Sequence, residues 1–423
     1  MQLEKDGPPS NESGRCPVSA VGGEFNPFVD PYLADPYPFW RTARRTEPVF
    51  YSPELDYWVV TCFDDIKAIF ADPESFSAGN AQHPITPLAP EVVELLSGGL
   101  KTKPTMSNAD PPEHTRIRKS TWTAFGPKRV AQLEPEVRRI VTRYLDEMQE
   151  ARSADLVHEM FYDLPVLVLF LFLGMPAEDV ARVKSWSRNR LLLTWGRLSP
   201  EQQMVEARGL LEYWKYTEAF VARQAANPPD NYVGDLIRVS RHDESELSLH
   251  EVTNVVYGLL LAGHETTTSM SANAIVTLMR HRDAWERLCA DPSLIPNAVE
   301  EVLRYDSSVI TWRRRTRKPV EVGGVTIPEG ANLLLALCSG NRDETHFPEP
   351  DRFDLDRGNA RNHLSFGFGI HYCLGAPLAR LELRVVLEEI TRRMPSLRLV
   401  PDQRWEFSPN TSFRGPTRLL VEW

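Results

Sequence analysis

The 423-residue sequence lacks the cysteine spacing of a zinc module or a disulfide framework. Its five cysteines, Cys16, Cys62, Cys289, Cys338 and Cys373, are odd in number and widely separated. Disulfide-rich secreted domains and zinc modules carry an even number of cysteines or closely spaced pairs. The cysteine pattern therefore argues against both classes and favours a reducing, cytoplasmic compartment.

Long apolar runs are also missing. The longest, "LPVLVLFLFLGM" from Leu164 to Met175, is shorter than the about 20 residues that span a membrane. Residues 1–23 lack the apolar core of a signal peptide and predict a flexible tail. We therefore expect no membrane association, and we predict that Leu164 to Met175 forms a buried core helix.

Basic character is scarce as well. Lysine and arginine number 48 against 58 acidic residues, the formal net charge is -10, and no basic block stands out. Nucleic-acid-binding domains carry a clustered basic surface, so the charge pattern argues against a nucleic-acid partner. Hydrophobic residues make up 42% and charged residues 25%, which is typical of a globular protein.

The sequence contains one long region with helical periodicity and two stretches with the alternation of β-strands. Helical periodicity extends from about Glu113 to Arg304, with interruptions at glycines and prolines. Alternating aromatic and β-branched residues occur from Pro48 to Phe70 and again from Lys318 to Leu337. These patterns predict a mainly α fold with a small β region assembled from both ends of the chain.

One segment concentrates glycines and aromatic residues around a cysteine: "LSFGFGIHYCLGAPLAR", from Leu364 to Arg380, contains Cys373. A lone cysteine is more often a buried apolar residue. Here, however, the glycines allow a tight turn against a flat ligand, and Pro377 marks the start of a helix. A helix N-terminus favours the thiolate. We interpret Cys373 as a nucleophile or a metal ligand, and its bulky aromatic neighbours favour the ligand.

This segment resembles the haem-binding signature of the cytochrome P450 family, F-x-x-G-x-x-x-C-x-G, at Phe366, Gly369, Cys373 and Gly375. The resemblance implies that Cys373 is the axial ligand of the iron of haem b. It also implies the P450 fold, with the haem between a long central helix and the cysteine loop with its following helix. The expected haem domain covers residues 24–423, after the tail of residues 1–23.

The long central helix is predicted to start at Ser248, which has the spacing of a capping box with Glu251. Its centre, "AGHETTT" from Ala262 to Thr268, is a poor helix former. One interpretation is a threonine-rich bend whose hydroxyls bond to the preceding turn. The other is the family's oxygen-binding segment, A-G-x-[DE]-T.

The second interpretation assigns a role to each residue of the segment. By resemblance, Glu265 and Thr266 relay protons and Ala262 borders the haem. Gly263 makes room for oxygen beside the iron, because glycine has no side chain.

Glu301 and Arg304 stand three residues apart in "NAVEEVLRYDSS". On a solvent-facing helix such a pair contributes little. In the cytochrome P450 family the pair is buried and meets an arginine from a downstream segment. The resemblance places Arg352 of "FPEPDRF" in that position and implies a structural role for all three residues.

Four further residues match positions that bind the haem propionates in the family. His114 and Arg118 belong to "DPPEHTRIRKS", Arg315 precedes "EVGG", and His371 stands two residues before Cys373. Arginine and histidine suit carboxylates because they donate charge-assisted hydrogen bonds.

The resemblance implies a monooxygenase that uses O2 and two electrons to oxidise a hydrophobic or aromatic small molecule. Hydroxylation, dealkylation and oxidative coupling are all compatible with this chemistry.

Electrons are expected from NAD(P)H through a ferredoxin and its reductase, because no flavin or iron–sulfur motif is present. The alternative is that this chain is a portion excised from a longer fusion protein that contains its own reductase. We expect a monomer. Four basic residues are candidates for steering an acidic ferredoxin: Arg118, Lys119, Arg361 and Arg380.

Two other functions remain open. A peroxide-driven haem-thiolate enzyme needs no electron partner, but the presence of both Glu265 and Thr266 argues against it. A haem sensor that only signals would form no oxygenated product.

The substrate is the least determined part of the prediction. By family position the walls of the pocket include the loop from Ser77 to Ser107, and the segment from Leu191 to Asn231 forms a lid. The individual wall residues expected are Leu259, Ala262, Ile310, Thr311, Trp312 and Phe413.

Overall fold

A computed structural model describes residues 19–187 and 190–423 and shows a mainly helical protein with small sheets, as predicted. Short 3-10 turns and one π-helical turn, Val157–Phe161, join some of these elements. The α-helices are α1 Ala20–Glu24, α2 Tyr37–Thr46, α3 Phe63–Ala71, α4 Pro90–Gly99, α5 Glu113–Phe125, α6 Pro127–Gln132, α7 Glu134–Met148, α8 Leu164–Leu173, α9 Val180–Ser187, α10 Arg190–Trp195, α11 Pro200–Ala226, α12 Tyr232–His242, α13 Leu249–Ala262, α14 Glu265–Arg280, α15 Arg282–Ala290, α16 Ile295–Tyr305, α17 Leu337–Gly340 and α18 Ala376–Arg393.

The strands form a five-stranded sheet, a three-stranded sheet and a hairpin. The five-stranded sheet has the order β1 (Val49–Ser52), β2 (Tyr57–Val60), β8 (Asn332–Leu335), β5 (Trp312–Thr316) and β3 (Phe76–Ser77), and of these neighbours only β2 and β8 pair in parallel. Its strands come from both ends of the chain, which confirms the predicted β region. The strands are β1 Val49–Ser52, β2 Tyr57–Val60, β3 Phe76–Ser77, β4 Ser153–Asp155, β5 Trp312–Thr316, β6 Val320–Val322, β7 Val325–Ile327, β8 Asn332–Leu335, β9 Arg398–Leu399 and β10 Leu420–Glu422.

The apolar run from Leu164 to Met175 forms α8, whose residues are almost all buried in the largest hydrophobic core. The helix ends at Gly174, which adopts the left-handed conformation (φ 72°) that glycine tolerates best. The predicted core helix is therefore confirmed. Among the described residues, no helix is both long and apolar enough to cross a bilayer.

Two predicted boundaries differ from the structure. The predicted tail of residues 1–23 includes the start of α1, whose Ser19 hydroxyl accepts a hydrogen bond from the Gly22 N–H group. A Cβ at Gly22 would lie 2.2 Å from the Tyr51 carbonyl oxygen, so this turn packs closely on β1. Residues 1–18, the rest of that tail, lie outside the described residues.

The single long helix predicted from Ser248 is divided into α13 and α14. The capping box of Ser248 and Glu251 is present at the start of α13. The helix is interrupted at Gly263 and His264, within the segment of low helix propensity.

Candidate active site

The cysteine loop depends on glycines that adopt conformations unfavourable to other residues. Gly367 and Gly369 both have positive φ angles, 70° and 71°. A Cβ at Gly369 would also lie 2.5 Å from the carbonyl oxygen of Phe70, at the end of α3. The loop is closed by a hydrogen bond from the Cys373 N–H group to the Phe366 carbonyl, 2.9 Å long.

The Cys373 thiol lies immediately before α18, as predicted. Burial raises its pKa, while the backbone N–H groups of Gly375 and Ala376 and the positive charge of Arg118 lower it. The net effect of these opposing influences is a raised pKa. The N–H groups and the cation nevertheless suit a sulfur that carries negative charge.

Two histidines lie close together at this loop: His114 is buried, and His371, within the loop, is half-buried. The rings of His114, on α5, and His371 lie 4.2 Å apart between centroids. The Nδ1 atom of His371 lies 2.9 Å from the Met106 carbonyl oxygen. Neither ring nitrogen of His114, nor Nε2 of His371, has a hydrogen-bond partner among the described residues. Buried polar atoms are seldom left without a hydrogen-bond partner. The unpartnered ring nitrogens are therefore available to donate hydrogen bonds to the acceptor atoms of a ligand.

Arg314, and not the predicted Arg315, completes this cluster. Arg314 is 2% exposed, and its Nη2 atom has no hydrogen-bond partner among the described residues. Burial and then Arg314 lower the pKa of His371 to about 3. Burial, then Arg118 and to a smaller extent Arg314, lower the pKa of His114 to about 4. Arg315 is exposed and donates from Nε to the Gly330 carbonyl at 3.0 Å. The prediction for Arg315 is wrong because neighbouring residues on a strand point to opposite faces of the sheet.

Arg118 lies on α5 one turn after His114. Its Nη2 atom donates to the Tyr372 carbonyl at 2.6 Å. Burial lowers its pKa, and the nearby Cys373 raises it. With Arg314, it gives this side of the cysteine loop an excess of positive charge.

The interruption between α13 and α14 presents the predicted proton-relay residues. Thr266 donates from Oγ1 to the Ala262 carbonyl at 2.8 Å. The Glu265 carboxylate lies 3.9 Å from Nδ1 of the buried His264, whose Nε2 atom lies 3.1 Å from the Tyr162 carbonyl oxygen. Sequence reasoning missed His264, because its partner is about a hundred residues away in the chain.

Gly263 lies at the interruption between α13 and α14. A Cβ there would lie 3.2 Å from Cδ2 of Leu169, on α8. The small residue thus allows the end of α13 and α8 to approach closely on this side, while Gly263 is half-buried and Ala262 beside it is exposed.

The buried ion pair is present, but its third member is Arg357. Arg304 donates from Nε and Nη2 to the two oxygens of Glu301 at 2.7 and 2.8 Å. Arg357 donates from Nε to Glu301 Oε1 at 3.1 Å. The side chain of Arg352 is 63% exposed and pairs with Glu349, and only its carbonyl reaches Arg304. The prediction for the Arg352 side chain is therefore wrong.

A cleft of about 250 Å³ opens along α13, one turn before Ala262. The loop from Ser77 to Ser107 contributes much of its wall, as predicted, and Leu193 and Leu210 come from the predicted lid. The individually predicted wall residues do not line this cleft. The residues that line it are Ser77, Gly79, Asn80, Gln82, His83, Pro84, Leu88, Leu96, Leu100, Thr102, Lys103, Pro104, Thr105, Asn108, Leu193, Thr194, Leu210, Asn254, Tyr257, Gly258 and Arg315.

The predicted wall residues occupy other positions. Ile310 is buried and donates to the Ser412 carbonyl, and Thr311 donates to the Thr411 carbonyl. Trp312 and Phe413 pack around Trp195, with centroid distances of 6.1 and 4.9 Å. Leu259 and Ala262 follow directly after the cleft residue Gly258 on α13.

Comparisons with known proteins agree with this architecture. The cytochrome P450 family profile matches residues 215–413. Cytochrome P450-SU2 of Streptomyces griseolus is 39% identical over 398 residues, which cover 92% of this chain and 94% of that protein. The 6-deoxyerythronolide B hydroxylase of Saccharopolyspora erythraea is 35% identical, covering 88% of this chain and 91% of its own. The chain therefore belongs to the cytochrome P450 family and is an oxidoreductase of the P450 monooxygenase class.

Solved structures give the same result. An intact type IV self-sufficient cytochrome P450 monooxygenase superposes with a TM-score of 0.93 at 42% identity, covering 96% of this chain. This chain spans 54% of that longer protein. Cytochrome P450 CREJ in complex with (4-ethylphenyl) dihydrogen phosphate has a TM-score of 0.91 at 41% identity, with 95% of this chain and all of CREJ covered.

The residues around Cys373 fit the haem-thiolate cofactor that the family implies. The site has a cysteine sulfur faced by N–H groups, and a cluster of unpartnered histidine and arginine nitrogens next to it. A thiolate ligand and donors for carboxylates are what an iron porphyrin with propionates requires.

Proposed function

We propose that the chain is a monooxygenase that oxidises an apolar small molecule with O2, using two electrons from partner proteins. The proposal rests on Cys373, two residues after His371 in the same loop, and on the unpartnered nitrogens of His114, His371 and Arg314, which lie near one another. When bound, haem b supplies the activation of O2 and the insertion of an oxygen atom into the substrate.

Cys373 is the proposed axial ligand, in a loop shaped by Phe366, Gly369 and Gly375. Arg314 and the two histidines hold the propionates, because each has a buried nitrogen that lacks a partner. Arg118 adds positive charge near the sulfur. Together these residues would hold the cofactor at the cysteine loop.

Thr266 and Glu265 are proposed to move protons at the helix interruption. The Thr266 hydroxyl is held by the Ala262 carbonyl, so its oxygen is oriented before a substrate arrives. A carboxyl group in the next position provides a second proton-carrying group within the same turn. Ala262 borders the cofactor in this arrangement.

Electrons are proposed to come from NAD(P)H through a ferredoxin and its reductase, with the chain acting as a cytoplasmic monomer. Lys119 and Arg361 are exposed and suit an acidic partner. The guanidinium of Arg380 donates to the Glu300 carboxylate at 2.8 and 2.9 Å. Because this internal ion pair occupies the side chain, Arg380 is not proposed as a contact for the ferredoxin.

The substrate is proposed to enter through the cleft along α13. Leucines contribute to the lining of the cleft, among them Leu88, Leu96 and Leu210, and they suit an apolar body. The oxidation performed on it is hydroxylation, dealkylation or coupling.

The test uses (4-ethylphenyl) dihydrogen phosphate, the ligand bound by CREJ, with isotopically labelled O2. Reduced ferredoxin should give a product that carries the label, and hydrogen peroxide alone should give little. Product formed only with peroxide would identify a peroxygenase. Absence of product with every electron source, despite ligand binding, would identify a sensor.

A further inference from the structure

We infer that the cleft along α13 recognises a substrate with an apolar body and one anionic group, either a phosphate monoester or a carboxylate. This inference rests on the proposed function and specifies its substrate class. The anionic group binds between Lys103 and Arg315, and the apolar body lies against the leucines.

The first observation is the charge of the lining. The cleft residues include the cations Lys103 and Arg315 and not a single aspartate or glutamate. The chain as a whole carries 58 acidic residues and a net charge of -10. A cleft wall that is free of acids and carries two cations is therefore opposite in sign to the protein around it. Such a wall favours an anion over a neutral or cationic ligand.

The second observation is that neither cation is neutralised by the protein. Lys103 and Arg315 form no ion pair among the described residues, whereas Arg317, two residues after Arg315, pairs with Asp110. An uncompensated arginine presents a planar set of donors that matches the oxygens of phosphate or carboxylate.

The third observation is that both cations stand on fixed backbone. The Lys103 N–H group donates to Oδ1 of Asn254, on α13, at 2.8 Å. Arg315 lies on β5 opposite Ser77 of β3, and its Nε atom is held by the Gly330 carbonyl. A fixed position reduces the entropy lost when a ligand binds.

The fourth observation is the distribution of apolar groups. Leu88, Leu96, Leu100, Leu193 and Leu210 line the same cleft. Gly258 places this wall four residues before Ala262, which is about 6 Å along a helix axis. The cleft therefore reaches to within about one turn of the helix interruption.

The experiment measures dissociation constants by calorimetry with the haem-loaded protein and three probes. The probes are (4-ethylphenyl) dihydrogen phosphate, 4-ethylbenzoate and the neutral 4-ethylphenol. Arg315→Gln and Lys103→Gln should each weaken anion binding by about tenfold, because a hydrogen bond to a charged group contributes that much. Binding of 4-ethylphenol should change by less than about twofold, since its recognition depends on apolar contact.

Lys101→Gln is the matched control, because Lys101 is an exposed lysine of the same loop that does not line the cleft. Tighter binding of either anion than of 4-ethylphenol supports the inference, and the tighter anion identifies the group. The inference is overturned if both anions fail to bind, if the phenol binds equally well, or if Lys101→Gln weakens binding as much as Lys103→Gln. The spectrum of the reduced, carbon monoxide-bound protein tests the proposed function separately, since it reports the sulfur ligand whether or not the anions bind.

Discussion

The carboxylate of Glu301 receives hydrogen bonds from two arginines, Arg304 on its own helix and Arg357 from the segment after α17. Glu301 and Arg304 are fully buried, and Arg357 is nearly so. Arg357 also donates to the carbonyls of Pro348 and Glu349. The cluster thereby fastens α16 to the segment that precedes the cysteine loop.

Removal of one partner from this cluster should destabilise the protein strongly. Arg357→Ala should lower the free energy of unfolding by about 3 kcal/mol, because it leaves a buried carboxylate incompletely paired. Arg352→Ala is the matched control and should change it by less than about 0.5 kcal/mol, since that side chain is exposed. Urea denaturation followed by circular dichroism measures both. Equal effects of the two substitutions would refute the assignment.

Substitution of Arg314 should weaken the retention of haem, whereas substitution of the neighbouring Arg315 should not. Arg314→Gln should increase the rate of haem loss by about tenfold, because it removes a charged donor from the histidine cluster. Arg315→Gln should leave that rate nearly unchanged. Transfer of haem to excess apomyoglobin provides the measurement. A larger effect of Arg315→Gln would restore the original sequence-based prediction.

Thr266→Ala should separate electron consumption from product formation. The variant loses the hydroxyl held at the Ala262 carbonyl, and a positioned proton-transfer group contributes roughly 10²–10⁴-fold. Product per NADH should fall while hydrogen peroxide rises. Thr266→Ser should largely restore the parent ratio, and Thr268→Ser, whose hydroxyl bonds to the Phe161 carbonyl, serves as control. Unchanged coupling in Thr266→Ala would remove this residue from the proton relay.

His264 should make the protein less stable in mild acid. Burial, together with the charge of Lys184, lowers its pKa from 6.5 to about 4. Between these values the unfolded chain binds a proton that the folded chain does not, so stability falls as the pH decreases from 6.5 toward 4. The loss attributable to His264 is about 3 kcal/mol.

The comparison of parent and His264→Gln isolates this contribution. The variant should lose less free energy of unfolding between pH 7 and pH 4 than the parent does, by the about 3 kcal/mol that the pKa difference implies. His158→Gln is the control, because His158 is exposed. Identical pH profiles of parent and His264→Gln would contradict the shifted pKa.

Sequence patterns predicted the features that depend on neighbouring residues. The capping box of Ser248, the helix that begins beside Pro377 and the strands between Pro48 and Phe70 each follow from patterns within a few positions. The low helix propensity around Gly263 was also visible in the sequence, but one continuous helix was predicted there, and the division into α13 and α14 was not.

Features that depend on tertiary contacts were not predictable in this way. The choice between Arg314 and Arg315 depends on which face of β5 meets α5, and alternation along a strand leaves the face undetermined. Arg357 replaces Arg352 because the chain turns after Asp354, whose N–H group donates to Glu301. The cleft is assembled from loops and helices that are far apart in the sequence. No short stretch of sequence therefore shows that its lining lacks aspartate and glutamate.

The most direct test of the account is the optical spectrum of the reduced protein with carbon monoxide. The parent should show the red-shifted Soret band of thiolate-ligated haem, and Cys373→Ser should lose that band. Cys289→Ser is the control and should keep it, because Cys289 lies on α15, away from the loop. A spectrum of Cys373→Ser identical to that of the parent would contradict the assignment of Cys373 as the ligand.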